Sequence, residues 1–219
     1  MSAKPPQGYD DSDDDDGDEA PAGALPFLDD EGDDIAPEQV LLLVPRFAAQ
    51  LRAVRWFSAV GQKIDGPLRQ LSSRYLDALG FPDCTLAPIS DWREAEEAAE
   101  STGVDLSAFD AEEQLRMALE SDALSLCGEE ALSVAFAHIQ SVAVEAAREG
   151  ATNAARMWGV SGDEVISAAV GAAVQAAHEA GLLLLSGRAE EDHPFALKFA
   201  LFERGRWPIG VTGMSFNLF

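Results

Sequence analysis

The stretch SGDEVISAAVGAAVQAAHEAGLLLL, residues 161–185, decides the predicted fold because its small residues recur at helical spacing. From Ala168 to Ala180 every fourth residue is alanine, so these side chains form one stripe along a helix. A stripe of small side chains lets a second helix approach closely. Residues 129–149 carry alanines at similar spacing, and we therefore predict that these two helices pack together at the centre of the fold.

The same stretch also has the length of a membrane span. Twenty residues run from Ile166 to Leu185, but Gln175, His178 and Glu179 lie in the second half, and alanine contributes little to insertion. We therefore predict a buried helix and no transmembrane span. As an alternative to packing within the chain, the alanine stripe could form the seam of a homodimer.

Helical patterns cover most of the remaining chain. Apolar side chains three and four residues apart predict helices over 38–60, 66–79, 91–100, 110–126 and 129–149, with a shorter segment between Gly150 and Gly159. Three helix starts have a capping residue three positions before a glutamate, namely Asp91 with Glu94, Asp110 with Glu113, and Ser161 with Glu164. The predicted fold class is mainly α, a compact bundle of about six to seven helices.

The C-terminal residues change to a period of two. From Phe195 to Leu201 large apolar side chains alternate with alanine or lysine, residues 203–206 resemble a turn, and the alternation resumes at Trp207. We predict a β-hairpin over 193–219 that packs on helices within 37–187, so that 37–219 form a single domain. The proline-rich residues 81–90 are predicted to be a loop.

The formal net charge of −24 is unevenly distributed over the 219 residues. Residues 1–36 hold 13 acidic residues and one basic residue, Lys4, which predicts a disordered acidic tail. Within it, Phe27 belongs to the apolar cluster Leu25–Leu28, which is either a docking motif or an incidental patch in a solubilising tail.

Charge and cysteine content limit the partners and the compartment. Polyphosphate repels a chain of this charge, so nucleic acid is excluded as a partner. Cys84 and Cys127 are isolated, and the first residues lack the basic and apolar regions of a signal peptide. We therefore predict a cytoplasmic protein.

Catalytic and metal-binding motifs are absent from the sequence. It has no nucleophile elbow, and neither central helix carries the Glu-x-x-His element of di-iron bundles. We predict no catalytic residue, metal or cofactor, and an enzyme is the less favoured class. A small-molecule or enzymatic site remains an alternative, with a pocket between helices 129–149 and 162–185 that draws on His138, His178, Glu145 and Arg156.

Two segments have the composition of partner-binding surfaces. Residues 46–57 contain Arg52, Arg55 and Trp56 without any acidic residue, and they follow closely after the acidic tail. The alternative is a core helix whose arginines pair with acids elsewhere in the fold. The second is the C-terminal hairpin, for which Arg204, Arg206, Trp207 and Phe219 are candidate partner-binding residues or parts of the core.

These features favour a non-enzymatic interaction or regulatory protein. It would engage a protein partner, with a basic protein as one candidate, through the acidic tail, the aromatic hairpin or both. Peripheral membrane association through residues 46–57 is a further alternative, although the net charge opposes it.

Overall fold

A computed structural model describes residues 37–101 and 106–219. The predicted acidic tail and Phe27 lie outside these residues. Within them the chain forms eight helices, the first a single short turn, and three strands. The helices are α1 Pro37–Leu41, α2 Leu43–Ala53, α3 Gly66–Leu79, α4 Trp92–Ala99, α5 Leu106–Cys127, α6 Glu129–Met157, α7 Asp163–Leu185 and α8 Pro194–Glu203. The strands are β1 Thr85–Pro88, β2 Pro208–Thr212 and β3 Ser215–Leu218. The mainly α prediction is confirmed.

Helices α6 and α7 pack against each other more extensively than any other pair of helices in the described chain. Their contact surface consists largely of buried alanines, which permit a close approach, as the sequence predicts. A methyl group at Gly181 would lie 3.1 Å from Ile139 Cδ1, so the Ile139 side chain packs directly against the α7 backbone there. Only the second half of the predicted stripe is buried, because Ala168 is exposed and Ala172 is half-buried. The homodimer seam stays a prediction. The buried alanines of α7 are Ala169, Ala173, Ala176, Ala177 and Ala180.

Among the described helices, α7 alone has the length and hydropathy of a membrane span. About two thirds of its apolar window, 67%, is buried inside the fold. That degree of burial is typical of a core helix, and it agrees with the prediction of no transmembrane span.

Local capping explains where several helices begin and end. The Asp65 side chain accepts from the Leu68 amide at 2.8 Å at the start of α3. Asp91 does the same for Glu94 at 2.9 Å at the start of α4, as predicted. Gly80 ends α3 in the left-handed region with φ 92°, which a glycine adopts without strain.

Four predicted helix boundaries are wrong. The helix expected over 38–60 ends at Ala53, because the backbone becomes extended at Val54. Helix α5 begins at Leu106, four residues before the predicted cap Asp110. The N-cap of α7 is Gly162, with no capping side chain, instead of Ser161.

The fourth wrong boundary is the break expected at Gly150, which lies inside the uninterrupted helix α6. A methyl group at this position would lie 2.7 Å from both the Cβ and the carbonyl oxygen of Trp56. The glycine therefore permits a close approach between helix α6 and the segment that follows α2, and it does not end a helix.

The strand predicted over Phe195–Leu201 is in fact helix α8. The His193 side chain accepts from the Phe195 amide at 3.1 Å, and Pro194 occupies the first helical turn. Residues on nearly every side of α8 are buried, so the sequence lacks the polar face by which an amphipathic helix is recognised.

The C-terminal hairpin exists, but it is shorter than predicted. β2 pairs antiparallel with β3 around Gly213 and Met214, and its bulge lies between Pro208 and Gly210. β1, which falls in the predicted loop 81–90, pairs parallel with β3 and completes a sheet of order β1-β3-β2. The sheet packs on α3 and α8, mainly through Phe216, Leu218 and Val211.

Candidate functional site

Helices α2 and α6 run in the same direction and carry two surface depressions at opposite ends. Residues at the start of α2 lie beside the start of α6, and residues just after α2 lie beside its second half. We call the first depression the apolar groove and the second the arginine pocket.

The apolar groove has a volume of about 750 Å³ and is open to solvent. Its lining is mainly apolar, with two carboxylates where α6 begins. It consists of Leu41, Val44, Pro45, Cys127, Gly128, Glu129, Glu130, Ala131, Val134, Ala135 and His138. Glu129 and Glu130 lie in the first turn of α6, where the helix dipole favours negative charge.

Large apolar side chains are exposed in and beside the groove. Val134 lines it and is 67% exposed, and Leu42, which is 72% exposed, follows the lining residue Leu41. A cluster of exposed apolar residues around a depression is typical of an interaction surface. His138, predicted for a ligand pocket, is one of the lining residues and is exposed.

The arginine pocket has a volume of about 390 Å³. Arg52 and Arg55 line it together with Glu149, Asn153 and Met157, and the Met157 side chain is 75% exposed. Both arginines are exposed, and neither forms an ion pair with any residue that the structure describes. The alternative that these arginines pair with acids elsewhere in the fold therefore has no support within residues 37–101 and 106–219.

Trp56 also lines this pocket but is only 3% exposed. Its indole Nε1 donates to the Leu51 carbonyl at 3.0 Å, and its ring packs against Phe199 and Phe202. Phe57 is likewise buried and has a φ of 59° in the turn that follows α2. These aromatic residues stabilise the core and do not form an accessible apolar face.

The C-terminal residues predicted to bind a partner are also divided between the surface and the core. Trp207 and Phe219 are buried, and their backbones exchange hydrogen bonds of 2.8 and 2.9 Å. Arg206 is 5% exposed and donates to the carbonyls of Gln62 and Lys63, the latter at 3.1 Å. Of the four predicted residues only Arg204 is exposed, so the alternative in which the aromatic residues close the core fits the structure better.

The four residues predicted to share a ligand pocket are not brought together. His138, Glu145 and Arg156 lie on the exposed face of α6. His178 lies on α7 and stacks on Phe136, with ring centroids 4.2 Å apart. Burial, followed by the charge of Arg116, lowers the pKa of His178, which favours the neutral imidazole.

A buried ion cluster was not predicted from the sequence. Lys198 on α8 contacts both carboxylate oxygens of Glu112 at 2.9 Å and Glu179 Oε2 at 3.1 Å. The Tyr75 hydroxyl donates to Glu112 at 2.6 Å, and the Gln175 amide donates to Glu179 at 2.8 Å. The only sequence signal was the presence of single charges within the apolar segments of α7 and α8.

Proton affinities within the cluster favour a structural role. Burial alone would lower the pKa of Lys198, but Glu179 and Glu112 outweigh it and raise that pKa, so the amine stays protonated and is not nucleophilic. Burial also raises the pKa of Glu179 and, together with Glu112, that of Tyr75. The adjoining cavity is small, about 170 Å³.

A group of carboxylates from Glu96, Glu100 and Glu164 lies at the surface near the start of α7, with their oxygens within 4.8 Å of one another. Two of these residues are exposed, and the group contains no histidine or cysteine. Exposed acidic groups of this kind are common in the absence of a metal ion.

Comparison of this chain with protein-family models, with curated proteins and with solved structures finds no match.

Proposed function

We propose that this protein is a non-enzymatic interaction protein and that its apolar groove binds a basic, amphipathic helical segment of a protein partner. The observation that carries the proposal is the groove itself, an open depression of about 750 Å³ with exposed apolar side chains. Grooves between helices bind the apolar face of a partner helix, whose anchor residues are spaced by three and four positions.

Charge at the groove determines the kind of segment that fits. Glu129 and Glu130 line the groove, and Glu38 on the neighbouring helix α1 is exposed. Lysine or arginine residues flanking the apolar anchors of a partner would complement these carboxylates, whereas acidic residues would be repelled. A basic partner also agrees with the net charge of −24, which increases the rate of encounter.

The other candidate functions have less support. The polar residues expected between α6 and α7 lie apart, and alanines fill that interface. Membrane association through residues 46–57 requires an accessible apolar face, but Trp56 and Phe57 are buried. The aromatic residues of the hairpin are buried as well.

The test uses the full chain and two synthetic helical peptides, one of leucine and lysine and one of leucine and glutamate in the same arrangement. We expect the basic peptide to bind and the acidic one to bind at least tenfold more weakly. The Val134→Glu variant should weaken binding of the basic peptide at least tenfold, because a charge replaces an apolar contact in the groove. Isothermal titration calorimetry measures both affinities.

Val144→Glu is the matched control, because Val144 lies on the same helix, is 38% exposed and does not line the groove. It adds the same charge, so it should leave the affinity within about twofold of the unmodified protein. If both variants bind the basic peptide equally well, or more tightly than the unmodified protein, the attraction is electrostatic only and the groove is not the binding site.

A further inference from the structure

The arginine pocket is a cationic surface on a strongly acidic protein. Arg52 and Arg55 point their charges toward solvent without a carboxylate partner among the described residues. The neighbouring helix α6 adds Arg148 and Arg156, which are exposed and also form no ion pair within the described chain. Unpaired guanidinium groups in a chain with 39 acidic residues indicate a surface built to receive carboxylates.

The remaining lining restricts the ligand further. Met157 and Val54 provide apolar surface beside the two arginines, and Met157 is largely exposed. A segment that fills the pocket therefore needs a bulky apolar residue next to several carboxylates. Methionine adapts its shape to such apolar groups.

One segment of the chain itself has this composition. Residues 25–34 read LPFLDDEGDD, in which four apolar residues precede five acidic ones. They lie immediately before α1, and α1 leads directly into α2, at whose far end the pocket lies.

The length of the connection is sufficient. Helices α1 and α2 together would span roughly 26 Å if they were collinear. The eight residues between Leu28 and Pro37 make nine Cα–Cα steps, which reach at most about 30 Å when extended. Leu28 and Phe27 can therefore reach the pocket in their own chain.

We propose that the arginine pocket binds residues 25–34 of the same chain. The carboxylates of Asp29, Asp30 and Glu31 pair with Arg52 and Arg55, and Phe27 packs against Met157. Because the segment is tethered, its effective concentration at the pocket is in the millimolar range, so weak contacts suffice. The apolar groove has Glu129 and Glu130 in its lining and no arginine or lysine, so it repels the carboxylates of the segment. In the arginine pocket the two arginines outnumber the one carboxylate, that of Glu149.

The experiment uses full-length Arg52→Lys and Arg55→Lys variants, which keep the positive charge and introduce an amine. A carbodiimide joins an amine to a carboxylate only when the two are in direct contact. We expect peptides cross-linked between position 52 or 55 and residues 29–34, identified by mass spectrometry. Phe27→Ala in the same background should lower their yield at least threefold, and so should 0.5 M salt.

Arg69→Lys is the matched control, because Arg69 is exposed on α3 and has no ion pair among the described residues. A mixture of isotopically light and heavy chains distinguishes links within one chain from links between two chains. Absence of the link, an equal yield at position 69, or links formed only between chains would each overturn the proposal. Val134→Glu should leave the cross-link yield unchanged, so this test and the groove test fail independently.

Discussion

The apolar groove and the arginine pocket lie on the same pair of helices yet have opposite chemistry. At the start of α2 and α6 the surface is apolar with carboxylates in its lining, and at the other end it is lined by Arg52 and Arg55. The net charge of −24 gives no indication of this division. The charge of this protein therefore indicates the kind of ligand only when it is assigned to a particular surface.

Loss of the buried ion cluster should give the largest expected effect, a loss of stability of the whole fold that carries both surfaces. Lys198→Ala leaves Glu112 and Glu179 facing each other without a cation, and breaking a buried pair costs about 3–5 kcal/mol. Urea unfolding should report that loss of stability.

Lys63→Ala, at an exposed lysine, is the control for Lys198 and should change stability by less than about 0.5 kcal/mol. If Lys198→Ala were equally mild, the cluster would not stabilise the fold that carries both surfaces.

Gly150→Ala should distinguish the two surfaces, because Gly150 lines the arginine pocket and closely approaches Trp56. The added methyl group should push α6 away from Trp56 and cost about 1–3 kcal/mol in thermal or urea unfolding. The cross-link at position 52 should weaken, while the affinity of the groove for the basic peptide should stay within about twofold.

Gly171→Ala supplies the comparison for Gly150, because Gly171 is helical and a methyl group there would meet nothing within 4 Å. It should stabilise the protein by about 0.5–1 kcal/mol. Equal responses of the groove and the pocket to Gly150→Ala would mean that the helix pair moves as one unit.

The last prediction concerns the dependence of stability on pH and a residue that contacts the middle of α2. Glu203 accepts from Gln50 at 2.7 Å, and burial raises its pKa from 4.5 to about 7. Between pH 4.5 and about pH 7, Glu203 holds a proton in the folded state that it has released in the unfolded state. The free energy of unfolding therefore falls as the pH rises through this range. Glu203→Gln should therefore stabilise the protein at pH 8 by about 1–2 kcal/mol and have little effect at pH 4.

Chemical unfolding at both pH values tests the Glu203 prediction, with the exposed Glu191→Gln as control. Since Gln50 lies between the two surfaces, both should show the same pH response. A gain in stability at pH 4 instead of pH 8 would contradict the assignment.

The packing of α6 on α7 followed from the sequence because alanine spacing is a local pattern with a direct geometric meaning. Helix α8 was misread for the opposite reason. It is enclosed on nearly every side, and a continuous apolar run has the same appearance whether it forms a buried helix or a buried strand. β1 was missed because its partner, β3, lies about 130 residues further along the chain.

The candidate surfaces were only partly predictable. Arg52 and Arg55 were selected from the sequence as partner-binding residues, and they line a surface pocket, whereas Trp56, Trp207 and Phe219 were selected by residue type and are buried. The apolar groove was not predicted, apart from His138, because its lining comes from separate helices that are individually unremarkable in composition.

The sequence by itself determined the helical class, the central alanine-lined helix pair and the uneven distribution of charge. These properties depend on residues close together in the chain, whose spacing and like charges act locally. Only the tertiary structure decided which aromatic residues are buried, which arginines lack partners and where Lys198 finds Glu112 and Glu179. Those outcomes depend on contacts between distant residues, and burial and ion pairing are properties of the assembled fold.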